Sequence, residues 1–204
     1  MAFYPPGYSP NHGGPRSSTR GVVIHSTRGG QPPGPEFEWT NQWFSQTASQ
    51  VSAHAVVSQA GEITYPVADD LVAWHARYYN GSWLGIEFEQ GRVTDEYTEV
   101  QIAAGAGLVR AWCDAYSIPI DRDHIAGHEE IPPGIEDVKS DPGILFPWDH
   151  FMAMVSGTID IPPVIPDPIP PSPVGSDVVP WWMFMVATAM GVGAISLIAS
   201  LPRR

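Results

Sequence analysis

The chain has 204 residues, 43% of them hydrophobic, which is enough for one well-packed domain and an additional segment. Ten Lys and Arg residues against 22 Asp and Glu residues give a formal net charge of −12, which argues against a nucleic-acid partner. The single cysteine, Cys113, excludes an intrachain disulfide, and its apolar surroundings predict a core position.

The first elements are an arm and a strand. Residues 1–17 are rich in Pro, Gly and Tyr and predict an extended N-terminal arm that lacks the basic and apolar regions of a signal peptide. The mostly β-branched run Gly21–His25 predicts a buried strand that places His25 at its C-terminal end.

A short helix and a hairpin follow. Residues 39–47 predict a helix with Trp43 and Phe44 pointing inward. Residues 53–57 and 62–67 flank a Ser-Gln-Ala-Gly turn and predict a β-hairpin.

The next predicted strand has its large apolar residues at every second position. In residues 84–89, Leu84, Ile86 and Phe88 share one face, while Glu87 and Glu89 share the other. Glu87 is therefore expected to point away from the core.

The remaining regular elements complete an α/β pattern. Residues 98–115 fit an amphipathic helix, although two internal glycines each lower the helix preference by about 1 kcal/mol. A short strand before His128 and a last helix over 148–155 follow. Strands mixed with helices in this order predict one α/β domain over residues 18–157.

The C-terminal part has a different composition. Residues 158–178 form a Pro-rich linker that predicts semi-rigid polyproline II structure. Trp181–Leu201 contains no charged residue and, at about 1.5 Å per residue, spans about 31 Å, the thickness of a bilayer core. We therefore expect residues 179–204 to form a transmembrane segment, in which Ala189 and Gly193 could support helix-mediated self-association.

Chemically reactive side chains concentrate between Gly127 and Gly143. Four turn-forming residues predict that this segment is an irregular loop, the kind of segment that often carries catalytic groups. His128 and Asp141 in this loop, with His25, supply two nitrogens and one oxygen and would leave a fourth zinc position open for water. Taken singly, however, a histidine at a strand end is more often a structural residue than a ligand, and Asp141-Pro142-Gly143 is an ordinary turn.

Six segments together resemble the type 2 zinc-dependent N-acetylmuramoyl-L-alanine amidases, a family that includes phage endolysins and peptidoglycan-recognition proteins. In chain order these segments are VVIHST (Val22–Thr27), VSAHAVVSQAGEI (Val51–Ile63), AWHA (Ala73–Ala76), GIEFE (Gly85–Glu89), IAGHEEIPPG (Ile125–Gly134) and KSDPGILFPW (Lys139–Trp148). The resemblance covers most of residues 18–157 and implies a central mixed β-sheet flanked by helices. It also implies hydrolysis of the bond between N-acetylmuramic acid and L-alanine in peptidoglycan.

The resemblance assigns roles to individual residues. His25, His128 and Asp141 fall on the family's Zn²⁺-ligand positions. Glu87 matches its general-base glutamate, and Lys139, the only lysine in the chain, matches a lysine that steadies the developing oxyanion.

Substrate contacts are implied at three further positions. His54, Trp74 and His75 match residues that line the cleft in similar proteins, and Trp74 is open to the alternative of a core tryptophan. Some relatives carry a tyrosine immediately before the histidine at position 54, where this chain has Ala53. That departure argues against a tyrosine-assisted mechanism and places more weight on Glu87.

Two functions remain open at this stage. The first is a membrane-anchored peptidoglycan amidase, either a phage lysin, held in an infected host or in a virion, or a cell-wall-remodelling enzyme. The second is a non-catalytic peptidoglycan-binding module. Because all three ligand residues are present, the sequence favours the enzyme.

Overall fold

The computed structural model describes residues 4–28 and 36–161, which form a mixed α/β domain. Its strands and α-helices are β1 (His12–Pro15), β2 (Gly21–Ser26), α1 (Glu36–Phe44), β3 (Ala55–Val57), β4 (Ile63–Thr64), β5 (Leu71–Ala73), β6 (Trp83–Phe88), α2 (Glu99–Tyr116), β7 (Ile125–Gly127), α3 (Pro132–Glu136) and α4 (Trp148–Ser156). Single 3₁₀ turns occur at Thr47–Ser49, Arg77–Tyr79 and His128–Glu130.

A five-stranded sheet in the order β4-β3-β6-β2-β7 lies at the centre. The pairs β3-β6, β6-β2 and β2-β7 are parallel, and β4 joins β3 as an antiparallel edge strand. The predicted mixed sheet, the hairpin and the strands at residues 21–25 and 84–89 are thereby confirmed.

One face of the sheet forms the main core. The inward residues of β2 and β6, among them Val22, Ile24 and Ile86, are fully buried against α2 and α4. Because side chains alternate along a strand, the neighbouring residues of β2 and β6 point to the opposite face. That opposite face carries a smaller apolar cluster that includes Val23, and His25 and Glu87 lie on it at the ends of β2 and β6.

Helix α2 shows why the sequence permits close packing on the core face. Thr98 caps its N-terminus, since its side chain accepts a hydrogen bond from the Gln101 N–H. A Cβ atom at Gly105 would lie 2.3 Å from Phe88 Cζ, so only glycine lets the helix approach the sheet this closely. Gly105, one of the two glycines that lower the helix preference of this segment, is therefore needed for the packing of α2 against the sheet. Cys113, on the same helix, is buried in the core as predicted.

The N-terminal arm packs on the domain over its described part. Strand β1 pairs antiparallel with β5, and the buried Asn11 side chain donates hydrogen bonds to the carbonyls of Phe44 and Gln46. The arm thus helps to fix the end of α1.

Two local predictions are wrong. Trp43 was expected to point inward, but half of its surface is exposed, because Phe37, Asn41 and Phe44 occupy the face of α1 that meets the sheet. The segment Gly127–Gly143 was expected to be irregular, but it contains a 3₁₀ turn and helix α3. Prolines at the first two positions of α3 are compatible with a helix, since their missing N–H groups have no partner there.

No helix within residues 4–28 and 36–161 is long and apolar enough to cross a membrane. The predicted transmembrane segment, and the predicted linker beyond residue 161, lie outside the residues that the structure describes.

The buried carboxyl group of Asp69 makes a testable contribution to stability. It accepts a hydrogen bond from Trp112 Nε1 (2.8 Å), but burial outweighs this bond and the nearby Arg16, raising the pKa from 3.8 to about 6. Because the Asp69 carboxyl group binds its proton more tightly in the folded state, its protonation stabilises the fold below about pH 4. This stabilisation is lost as the pH rises through 6. At about 1.4 kcal/mol per pH unit between the two pKa values, the loss is about 3 kcal/mol.

We therefore expect Asp69→Asn, which stays neutral, to gain stability relative to the wild type between pH 4 and pH 7. Urea unfolding of both proteins at the two pH values measures the difference in their free energies of unfolding. The contributions of the other titrating groups are common to both proteins and cancel in this difference. A difference that does not change with pH would contradict the assignment.

Candidate metal centre and cleft

The carboxyl ends of three parallel strands bring the predicted site residues together. His25 and Glu87 are directly paired across β2 and β6, and Ile24 pairs with Gly127, so His128 begins immediately beyond β7. Residues at corresponding ends of parallel strands meet at one edge of the sheet, where ligands bind in open α/β folds.

His25, His128 and Asp141 form the centre of this edge. Asp141 Oδ2 lies 3.0 Å from His25 Nδ1 and 3.2 Å from His128 Nδ1. One donor atom from each residue falls within 4.8 Å of the others, and no other trio of such side chains occurs among the described residues. Two imidazole nitrogens and a carboxylate oxygen that converge in a largely buried position fit a divalent metal with an open fourth position.

The electrostatics of Asp141 and His25 support ligation. Burial favours a neutral Asp141, but the close contacts of its Oδ2 with the His128 and His25 rings outweigh burial and hold the pKa of Asp141 well below its usual range. Burial also lowers the pKa of His25, which favours the neutral imidazole that a metal requires.

The loop that carries Asp141 is held on both sides. The Glu129 N–H donates to the Asp141 carbonyl (3.0 Å), which connects the two ligand-bearing segments directly. Arg28, just beyond β2, donates to the Ser140 hydroxyl (2.6 Å) and also to the Ser140 carbonyl. Sequence reasoning missed Arg28, because nothing local relates it to a loop more than a hundred residues away.

A second arginine supports His128. The Arg122 guanidinium donates to Glu130 (2.6 Å) and stacks on the Trp148 ring, 3.2 Å from its centroid. Glu130 in turn accepts from the Gly127 N–H (2.6 Å), so the chain enters His128 in a fixed direction. Glu130 is thus a structural residue of this turn.

Glu87 lies beside this candidate metal centre on the same face of the sheet. Its Oε2 atom is buried and has no hydrogen-bond partner among the described residues. Burial and the nearby Asp141 carboxylate raise the pKa of Glu87 to about 8, against the opposing influence of Lys139. A carboxylate with this pKa and a free oxygen is suited to exchange protons near neutral pH.

His75 contacts His25, one of the three candidate metal ligands. Its Nε2–H donates to the Trp83 carbonyl (3.1 Å), so Nδ1 of the neutral ring accepts from His25 Nε2–H (3.1 Å). Burial and the neighbouring His25 and His54 rings hold the pKa of His75 well below its usual value. A Cβ atom at Gly85 would lie 2.6 Å from the His75 ring, so glycine is required to make room for it. Both ring nitrogens are occupied, so His75 is placed to orient the candidate ligand His25 rather than to offer a hydrogen bond to substrate.

The prediction that His54 lines the cleft does not match its position. The residue is fully buried, its Nδ1 accepts from the Gly85 N–H (2.9 Å), and its Nε2 lies 3.2 Å from the Leu71 carbonyl. Burial and the Arg16 guanidinium lower the pKa of His54 to about 3. His54 therefore supports β6 and its neighbours and has no access to substrate.

A cleft of about 740 Å³ opens over the metal centre. The three candidate ligands, Glu87, His75, Trp74 and Lys139 line it, as do Trp39 and Trp43 of α1. Trp74 is thus a cleft residue and not part of the core. The two tryptophans of α1 were missed as cleft residues, although their spacing of four positions marks one helix face.

Comparison with known proteins agrees with this geometry. The profile of the N-acetylmuramoyl-L-alanine amidase family matches residues 15–144. The chain belongs to this family. The predicted resemblance and the predicted enzyme class are thereby confirmed.

Individual relatives and a solved structure give the extent of the likeness. The chain is 38% identical to 1,6-anhydro-N-acetylmuramyl-L-alanine amidase AmpD of Escherichia coli (strain K12), over 56% of this chain and 64% of that protein. It is 35% identical to AmpD of Citrobacter freundii, over 66% of this chain and 80% of the relative. The crystal structure of the Se-Met AmpD derivative superposes with a TM-score of 0.60 and 27% identity, covering 72% of this chain and 90% of that one.

Proposed function

We propose that this chain is a zinc-dependent amidase that hydrolyses the bond between N-acetylmuramic acid and L-alanine in peptidoglycan. The observation that carries the proposal is the convergence of His25, His128 and Asp141 beside Glu87, in a cleft of a chain that belongs to the amidase family. Zn²⁺ is the metal that fits best, because two imidazoles, one carboxylate and an open position are typical of hydrolytic zinc sites.

In the reaction, a zinc ion held by the three ligands would polarise the scissile carbonyl and acidify the attacking water. Glu87 accepts the proton of that water through its unpaired Oε2 and returns it to the leaving amine of L-alanine. The Lys139 ammonium, which lines the same cleft, stabilises the negative charge that develops on the carbonyl oxygen.

The absence of a tyrosine at position 53 is consistent with this division of roles. Ala53 is fully buried and offers no hydroxyl group to the reaction. Proton transfer therefore depends on Glu87.

The proposal is tested by digesting purified peptidoglycan with the wild-type protein and identifying the released groups. New L-alanine amino termini, lost on treatment with a chelator and restored by zinc, are expected. Binding of the wall without release of any amino terminus would instead establish the non-catalytic recognition module.

The role of His75 gives a prediction about metal affinity. His75→Leu keeps most of the side-chain volume but removes the acceptor for His25 Nε2–H, so we expect zinc to bind about 10- to 100-fold more weakly. His75→Asn keeps an oxygen acceptor near the position of Nδ1, so a smaller loss is expected. Competition with a chelator measures the affinities without reference to activity.

The control for this experiment is His150→Leu, which removes a partly exposed histidine that pairs with Glu99 away from the cleft. It should leave zinc affinity unchanged. If His75→Leu bound zinc as tightly as this control, the orienting role of His75 would be wrong.

We also propose that residues 179–204 anchor the enzyme in a membrane, as a phage lysin or a wall-remodelling enzyme. The uncharged run Trp181–Leu201, with tryptophans at one end and arginines at the other, supports this. The full chain should float with lipid vesicles, and Ile195→Arg should weaken the association. If both proteins stayed in the soluble fraction instead of floating with the vesicles, the anchor would be excluded.

A further inference from the structure

Two tryptophans of α1 are displayed towards the cleft instead of being buried. Trp39 is 38% exposed and Trp43 50% exposed, and both line the cleft that contains the metal centre. Residues four apart on a helix project from the same face, and we call Trp39 and Trp43 together the tryptophan shelf. Large apolar surfaces of this kind mark binding sites more often than isolated apolar residues do.

The shelf is held in place by the opposite face of the helix. Phe37 and Phe44 are buried against the sheet. Asn41 between them is fully buried, and its Oδ1 accepts hydrogen bonds from the hydroxyls of Tyr8 and Thr64 (2.6 Å for Thr64). The sequence thus fixes α1 by one face and leaves the tryptophans on the other in a defined position, as a preformed ligand site requires.

The basic side chains that line the cleft come from elements other than α1. Arg28 and Lys139, the cations that line it, are next to the metal centre, since Arg28 binds Ser140 and Lys139 lies two residues before Asp141. The lining residues contributed by α1 are Glu36, Trp39, Thr40, Trp43 and Phe44, none of them basic. An anionic ligand is therefore disfavoured on the α1 side, and a neutral one with apolar surface is favoured.

The two parts of the substrate differ in the same way. The stem peptide carries free carboxylates, whereas the glycan strand is largely neutral and its pyranose rings have C–H faces that stack on indoles. Building on the proposed amidase function, we propose that the tryptophan shelf binds sugar residues of the glycan strand that flank the muramic acid being cleaved. The enzyme then prefers polymeric glycan to a single muramoyl peptide.

The first test compares two substrates, polymeric peptidoglycan and a single N-acetylmuramoyl peptide. In Trp39→Ala/Trp43→Ala, the ratio of kcat/KM for the polymer to that for the single muramoyl peptide should fall about tenfold, mainly through KM. Tyr78→Ala is the control, because Tyr78 is an exposed aromatic residue that does not line the cleft, and it should leave the ratio unchanged. An unchanged ratio in the tryptophan variant, or an equal loss on both substrates, would overturn the proposal.

The second test measures binding directly, by calorimetry with a neutral chito-oligosaccharide and, separately, with the free stem peptide. The wild type should bind the oligosaccharide, and the tryptophan variant should lose that binding. Loss of stem-peptide binding instead would mean that the shelf holds the peptide, and the proposal would be wrong. If the wild type cleaved neither substrate, the amidase proposal would fail, while this binding experiment would still decide the role of the shelf.

Discussion

Replacement of Glu87 by glutamine is expected to lower turnover by about 100- to 10,000-fold, the usual contribution of a positioned general base. Glutamine has the same shape but cannot accept the proton of the attacking water or return it to the leaving amine. The replacement leaves His25, His128 and Asp141 intact, so zinc content should be unchanged. Steady-state kinetics on peptidoglycan, together with metal analysis of the same samples, measure both quantities.

A matched control is available on the surface. Glu96 is an exposed carboxylate before α2, and Glu96→Gln makes the same chemical replacement without touching the cleft. It should retain full activity. Turnover of Glu87→Gln within a few-fold of the Glu96→Gln value would show that Glu87 is not the base, and another group would have to carry the proton.

The strand pattern predicted the position of Glu87 correctly, because the period of two in a strand is a local property. Leu84, Ile86 and Phe88 had to share the buried face, and Glu87 therefore had to point the other way. The hairpin and α2 followed from equally local signals.

Local sequence patterns were not sufficient to predict the candidate metal centre. His25 and Asp141 are 116 positions apart, and only the parallel pairing of β2 with β6 and β7 brings their loops together. Composition left each residue open to a structural interpretation, and the resemblance of six ordered segments supplied the grouping.

The errors have a common physical origin in long-range contacts. Trp43 was placed inside because it is large and apolar, but the fixed register of α1 gave the inward positions to Phe37, Asn41 and Phe44. His54 was placed in the cleft, whereas the Gly85 N–H and the Leu71 carbonyl hold it in the interior. Arg28 acts on Ser140, which lies 112 positions away and which no sequence window connects to it.

Replacement of Asp141 by asparagine is expected to abolish zinc binding at micromolar zinc, and with it the activity. Asp141 Oδ2 is the atom shared by the two imidazoles, and an amide oxygen supplies neither its charge nor its ligand strength. Zinc that binds only the folded state stabilises it by about 2.7 kcal/mol at 100 times Kd, so added zinc should raise the melting temperature of the wild type but not of Asp141→Asn. Thermal unfolding with and without zinc therefore reports on the site independently of catalysis.

Asp137→Asn provides the comparison, since Asp137 is an acidic residue of the same segment that pairs with Arg77 on the surface. It should keep the zinc-dependent stabilisation. If Asp141→Asn kept it as well, the metal would not be held by these three residues. If Asp141→Asn lost the metal but still released L-alanine amino termini, hydrolysis would not depend on zinc. Because Glu87→Gln is expected to keep the metal and Asp141→Asn to lose it, the two variants together separate proton transfer from metal binding within one cleft.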